Sequence, residues 1–155
     1  MELSFSKTEL KALVEMAVMA DWVMTAHDTE DDERKDDYLK LIQKIFAFAH
    51  KNGMKNEIEH LEDINEFFPD EEWEEKSLAR AFINEFEEKT FWDELVERLA
   101  ERELNRKLNN KKASNFEEHM EIFNEFATKF GEEFAEHGIE NLLVATADNK
   151  KAGKK

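Results

Sequence analysis

Cysteine is absent from this sequence of 155 residues, which also has only one proline and four glycines. Without cysteine the chain can form no disulfide, no zinc–thiolate site and no cysteine nucleophile. Four scattered glycines cannot build a phosphate-binding loop, and the common hydrolase, zinc-protease and dinucleotide-binding motifs are missing. These absences predict no catalytic residue and no cofactor, and they favour a protein that is not an enzyme.

Basic residues are scarce, since 22 of them stand against 38 acidic residues for a formal net charge of -16. Four of the lysines lie between Lys150 and Lys155, so residues 1–149 carry 18 basic and 38 acidic side chains, a net charge of -20. Such acidity repels phosphate backbones and predicts no nucleic-acid partner, whereas it would attract a basic protein. We expect residues 149–155 to form a disordered basic tail.

Apolar runs long enough to span a membrane are also missing, since a membrane span requires about 20 mostly apolar residues. The most apolar stretch, residues 10–26, reads LKALVEMAVMADWVMTA and is interrupted by Lys11, Glu15, Asp21 and Thr25. A helix that is apolar nearly all round is usually buried by other helices, so we expect this segment to be central in a helical bundle. The N-terminal residues lack a secretory signal, which predicts a cytoplasmic protein without a membrane partner.

Helix signals cover most of the chain. Ser6 and Glu9 form a capping box, which predicts a first helix from about Lys7 to His27. Further helices are predicted over about 33–52, 57–67, 71–88 (after a cap at Asp70), 91–108 (after a capping-box-like start at Thr90) and from Ser114 to His137, before Gly138. Because no window shows convincing strand alternation, the sequence predicts an all-α fold, with residues 1–148 forming a single-domain bundle of five or six helices.

Two apolar stripes at helical spacing are expected to form core, with a homodimer face or a hydrophobic ligand groove as the alternative for the stripe of the last helix. The stripe of the first helix contains Leu10, Leu13, Val14, Ala17 and Met24, and that of the last contains Phe116, Met120, Phe123, Ala127, Phe130 and Phe134.

Asp21 is an acidic residue within the apolar stripe of the first helix. A carboxylate there should have a raised pKa unless a cation, a metal or a hydrogen-bond donor meets it. With Thr25 and Asp28 it forms a polar line at spacings i, i+4 and i+7. These three residues are therefore candidate ligands for a divalent metal or a small molecule. The alternative is that Asp21 pairs with Lys, Arg, Trp or backbone groups in a gap between helices.

Other metal motifs are incomplete. Glu57 and His60 have the E-x-x-H spacing of di-iron bundles, but those sites need two such pairs, and no second pair is present. A calcium loop starting at Asp28 would have Glu33 where glycine is required and Leu39 where the closing glutamate is required.

We interpret the chain as a non-enzymatic protein-interaction or adaptor protein that presents an acidic surface to a basic protein, with homodimer formation as a further expectation. The alternative interpretation is a helical bundle that binds a divalent metal or a small ligand at Asp21.

Overall fold

The computed structural model describes residues 3–108 and 115–143. Within these ranges the chain is mostly helical with a small two-stranded sheet. Its elements in order are α1 (Lys7–Thr25), a 3₁₀ turn (Glu33–Lys35), α2 (Asp36–Lys51), β1 (Ile58–Leu61), β2 (Glu66–Pro69), α3 (Glu71–Glu75), α4 (Leu78–Lys107) and α5 (Phe116–His137). The expected helix start at Ser114 and the expected basic tail over 149–155 lie outside the described residues. None of the described helices is long and apolar enough to span a membrane.

The chain divides into two compact units, Met1–Glu87 (unit 1) and Glu88–Lys155 (unit 2). α4 contributes residues to both units, because it starts before this boundary and ends after it. One domain over residues 1–148 stays a prediction, since the compactness of two units does not measure whether they unfold together.

α1 begins as the sequence predicts. The Glu9 N–H donates to Ser6 Oγ at 3.3 Å, and the Ser6 N–H donates to Glu9 Oε2 at 2.8 Å, which confirms the capping box. Of its predicted stripe, Leu10, Val14 and Ala17 are buried, whereas Leu13 and Met24 are half-buried. The core of unit 1 combines this face of α1 with α2, the hairpin and the start of α4: Leu10, Val14, Ala17, Val18, Ile42, Phe46, Ala49, Met54, Ile58 and Ala79.

The other face of α1 is exposed. Met16 and Val23 are 61% and 71% exposed, and Ala12 and Ala20 beside them are also exposed. One face of α1 therefore packs in the core while the opposite face meets solvent, and a central position for this helix stays a prediction.

Residues 57–67, predicted as a helix, instead enter an antiparallel hairpin in which Ile58 lies opposite Pro69. The prediction of a strictly all-α fold is therefore wrong in this segment. The Asn65 N–H donates to the Glu62 carbonyl at 3.3 Å and closes the turn, with Asn65 at a φ of 54°. Asparagine tolerates this left-handed conformation better than most residues. Strands of four residues are too short to show an alternating pattern that could be distinguished from a helix.

Side chains of α2 hold the hairpin at both of its edges. The Gln43 amide donates to the Phe67 carbonyl at 3.0 Å and accepts from the Phe67 N–H at 2.9 Å. On the other strand, His50 Nδ1 lies 2.7 Å from the Ile58 carbonyl, and the Ile58 N–H donates to the Met54 carbonyl at 3.0 Å. An isolated two-stranded hairpin is marginally stable in water, so these contacts are what hold it in place.

The predicted helices over 71–88 and 91–108 are divided differently in the structure. α3 begins at the predicted Asp70 cap, which is confirmed, but it spans only Glu71–Glu75. α4 then starts after Ser77, whose Oγ accepts from the Arg80 N–H at 3.1 Å. No helix starts at Thr90, because residues 78–107 contain neither glycine nor proline and nothing ends α4 before that position.

α5 forms the last helix and ends at His137, before Gly138, as predicted. Phe134 of its predicted stripe is buried, but Phe116 at the other end is 76% exposed. Ile122, which lies outside that stripe, is buried. The core of unit 2 contains Leu99, Ala100, Leu104, Ile122 and Phe134.

We predict that Gln43→Leu destabilises unit 1, because it leaves the Phe67 N–H and carbonyl without their side-chain partner. The free energy of unfolding should fall by about 1–3 kcal/mol, measured by urea denaturation, and the Phe67 amide should exchange faster with deuterium. Lys44→Met, next to it on α2 and exposed, is the control and should change stability by less than about 0.5 kcal/mol. Equal losses in the two variants would contradict the role of Gln43.

Candidate functional site

An open groove of about 830 Å³ lies in unit 1 between the end of α1, α2 and the hairpin. The polar residues that line it are Asp21, Thr25, Asp36, Lys40, Gln43, Lys44, Asn65 and Glu66. Its apolar lining comes from Leu39, Ile42, Phe46, Ile64, Phe68 and Pro69. Ile64 is 58% exposed and Phe68 is 38% exposed. The groove therefore offers an apolar wall at the hairpin and carboxylates from three different elements.

Asp21 is half-buried at this groove. Within residues 3–108 and 115–143 its carboxylate has no hydrogen-bond or ion-pair partner. Burial raises the pKa of the Asp21 carboxyl, and the negative charge of Glu74 raises it further. Glu74 itself pairs with Arg80, which leaves Asp21 without a cation of its own.

The structure brings Thr25 to the same groove but not Asp28. The Thr25 hydroxyl donates to the backbone carbonyl of Asp21 at 2.9 Å, one turn earlier in the helix, rather than to its carboxylate. The Asp28 carboxylate pairs with Lys35, whose ammonium also donates to the Met24 carbonyl. The predicted polar line is thus divided between a groove and a separate ion pair at the end of α1.

His60 takes part in the hairpin rather than in a metal centre. Its Nε2 lies 3.0 Å from Asn65 Oδ1, and its ring stacks on Phe67 with centroids 4.3 Å apart. Glu57 and His60 do not share a helix face, because the chain is extended from Ile58 onward. In the described parts of the chain, no group of three or more His, Asp or Glu side chains is placed to hold a metal ion.

Sequence reasoning missed Gln43 and Glu15. Gln43 gives no local signal, because its partner Phe67 is 24 residues away. Glu15 is only 8% exposed, and its Oε1 has no hydrogen-bond donor, with Lys11 Nζ 3.8 Å away. Its i, i+4 spacing to Lys11 resembles an exposed helix pair, which conceals its burial in the sequence.

The acidic excess of the chain lies mostly in unit 1, which contains this groove. Residues 1–87 contain 23 acidic and 10 basic side chains, a net charge of -13, whereas residues 88–155 contain 15 acidic and 12 basic side chains, a net charge of -3. Unit 1 is therefore the part of the chain whose field most strongly attracts cations.

Comparison with known proteins gives no functional information: no family model matches the chain, and no curated protein or solved structure matches it significantly.

We predict that Asp21→Asn stabilises the protein at neutral pH, because it removes a desolvated charge that Glu74 repels. The pKa of the Asp21 carboxyl is raised in the folded state. Below the unfolded-state pKa of about 4, the wild type should therefore have its greatest stability relative to the variant. It should lose that stability as pH rises through the folded-state pKa. The melting temperatures of the wild type and the variant should therefore differ near neutral pH and converge at acidic pH. A variant that melts lower than the wild type at neutral pH would contradict this reasoning.

Proposed function

We propose that this protein is a non-catalytic interaction protein whose unit 1 binds a basic, partly apolar segment of a partner protein in the groove beside Asp21. The observation that carries the proposal is the half-buried Asp21 carboxylate, which has no cationic partner among the described residues. A lysine or arginine of the partner would supply that cation.

The rest of the groove suits such a segment. Asp36 and Glu66 add two carboxylates, so three carboxylates of the lining stand against two lysines, Lys40 and Lys44. Lys40 lies 3.7 Å from the carboxylate of Asp37. Exposed Ile64 and Phe68 offer apolar contacts, and apolar surface beside polar groups is typical of protein interfaces. A partner with alternating cationic and apolar side chains would use both features.

We predict that a capped peptide of alternating lysine and leucine binds the wild-type protein, with an affinity that falls as salt rises. Asp21→Asn should weaken binding about fivefold, the effect of losing one partly exposed ion pair. Fluorescence anisotropy of the labelled peptide measures the affinity, and chemical-shift changes at Gln43 and Ile64 show that the peptide binds in the groove.

Asp93→Asn is the matched control, because Asp93 is an exposed aspartate of unit 2 outside the groove. It should leave the affinity unchanged within about twofold. Equal weakening by both variants would contradict the role of Asp21, and equal binding of a glutamate–leucine peptide would contradict charge recognition.

The alternative proposal, a divalent-metal or small-ligand site at Asp21, uses the same unpaired carboxylate. Elemental analysis and native mass spectrometry of the purified protein, compared with Asp21→Ala, separate the two proposals. A metal or small cation retained by the wild type and lost in the variant would support this alternative.

We propose in addition that the exposed face of α1 forms a homodimer contact. Met16 and Val23 alternate there with Ala12 and Ala20, so large side chains of one copy can pack against small ones of the other. A second copy on this face would enclose α1, in agreement with its apolar sequence.

Met16→Glu is therefore predicted to shift the protein towards monomer in sedimentation equilibrium. Leu61→Glu, which adds the same charge at an exposed hairpin residue, should not. A wild-type protein that is monomeric at all concentrations would contradict the homodimer.

A further inference from the structure

Unit 2 contains a separate groove of about 420 Å³, formed by α4, α5 and the residues up to Leu143. Its apolar lining consists of Leu99, Phe130, Phe134, Leu142 and Leu143. Leu99 and Phe134 are each 9% exposed, whereas Leu143 is 87% exposed. The groove thus has a buried apolar floor and an open apolar rim, and its volume lies within the range of small-molecule sites.

Two cationic side chains, Arg102 and Lys129, and one acidic side chain, Glu133, line this groove. Lys129 has no carboxylate within ion-pair distance among the described residues. Arg102 and Arg106 both bond the same oxygen, Glu103 Oε1, at 2.9 and 2.6 Å. One carboxylate therefore faces two guanidinium groups. Counting Lys129 and Glu133 as well, three cations stand against two carboxylates, which leaves an excess of one positive charge at the groove.

The Asn141 amide and the Glu133 carboxylate, which also line the groove, are hydrogen-bonded to each other. Asn141 Nδ2 donates to Glu133 Oε1 at 2.7 Å, and His137 Nδ1 lies 3.4 Å from the same oxygen. A peptide in this groove would place main-chain N–H and carbonyl groups over its buried floor, where Leu99 and Phe134 offer no polar partner. A hydrocarbon chain needs none.

We propose that the groove of unit 2 binds a linear fatty-acid-like monocarboxylate, with its chain on Leu99, Phe130 and Phe134 and its carboxylate between Lys129 and Arg102. Arginine and lysine give carboxylates charge-assisted hydrogen bonds, which are stronger than neutral ones. The net negative charge of the chain opposes an anion, but salt largely screens the part of that charge that lies beyond about 8 Å at physiological ionic strength. This inference is independent of the function proposed for unit 1 and uses none of its residues.

The test is calorimetric titration of the full chain with decanoate, decanol and decyltrimethylammonium. Decanoate should bind the wild type more tightly than either comparator. Lys129→Met, which keeps an apolar stem of similar length, should weaken decanoate about tenfold and leave decanol unchanged, because only the carboxylate loses a charged partner. Leu143→Ser, at a residue exposed enough not to affect folding, should weaken decanoate and decanol alike.

Lys89→Met is the matched control, since Lys89 is an exposed lysine of α4 outside the groove. It should leave decanoate binding unchanged. The proposal is overturned if decanoate does not bind at about 1 mM, if decyltrimethylammonium binds as tightly, or if Lys89→Met weakens decanoate as much as Lys129→Met does. Tighter binding of a leucine-rich peptide with a free C-terminal carboxylate would likewise overturn the assignment to a fatty acid.

Discussion

The two hydrogen bonds between the Gln43 amide and the backbone of Phe67 connect the helical and the extended parts of unit 1. A two-stranded hairpin is only marginally stable alone, and here it supplies Ile58, which is fully buried, to the core. The same strands supply Ile64, Phe68 and Pro69 to the groove. Both the core and the candidate site therefore depend on α2 holding the hairpin through Gln43 and His50.

This arrangement also reduces the number of hairpin backbone groups that could pair with another strand. Unpaired N–H and carbonyl groups at a sheet edge favour association with further chains. Gln43 occupies both outward groups of Phe67, and Met54 and His50 occupy those of Ile58. At these two positions the outward N–H and carbonyl groups of the edge are already hydrogen-bonded to side chains or to a turn. We therefore expect partners to bind side chains of the groove rather than to add a strand.

The local signals of the sequence predicted several helix ends correctly, although the side chain that caps α5 is that of Asn115, one residue after the expected start. The Ser6–Glu9 box, the Asp70 cap and the His137–Gly138 end are all found in the structure. The hairpin was missed because its stability comes from Gln43, distant in sequence, and the start at Thr90 was wrong because a capping sequence cannot end a helix that precedes it. Asp21 was predictable from its apolar surroundings, but the groove beside it was not, since the hairpin forms one of its walls.

Two acidic residues of α1, Glu15 and Asp21, show why burial alone does not identify a candidate site. Glu15 is the more deeply buried, but Lys11 lies 3.8 Å away and the residue lines none of the described grooves. Asp21 is less buried, yet it opens onto a groove, and Glu74 adds repulsion instead of compensation. The stability that an unpaired carboxylate costs can be recovered by a bound ligand only if the ligand can reach that carboxylate. Access and the missing cation, rather than depth, therefore make Asp21 the residue at which a basic partner would gain most.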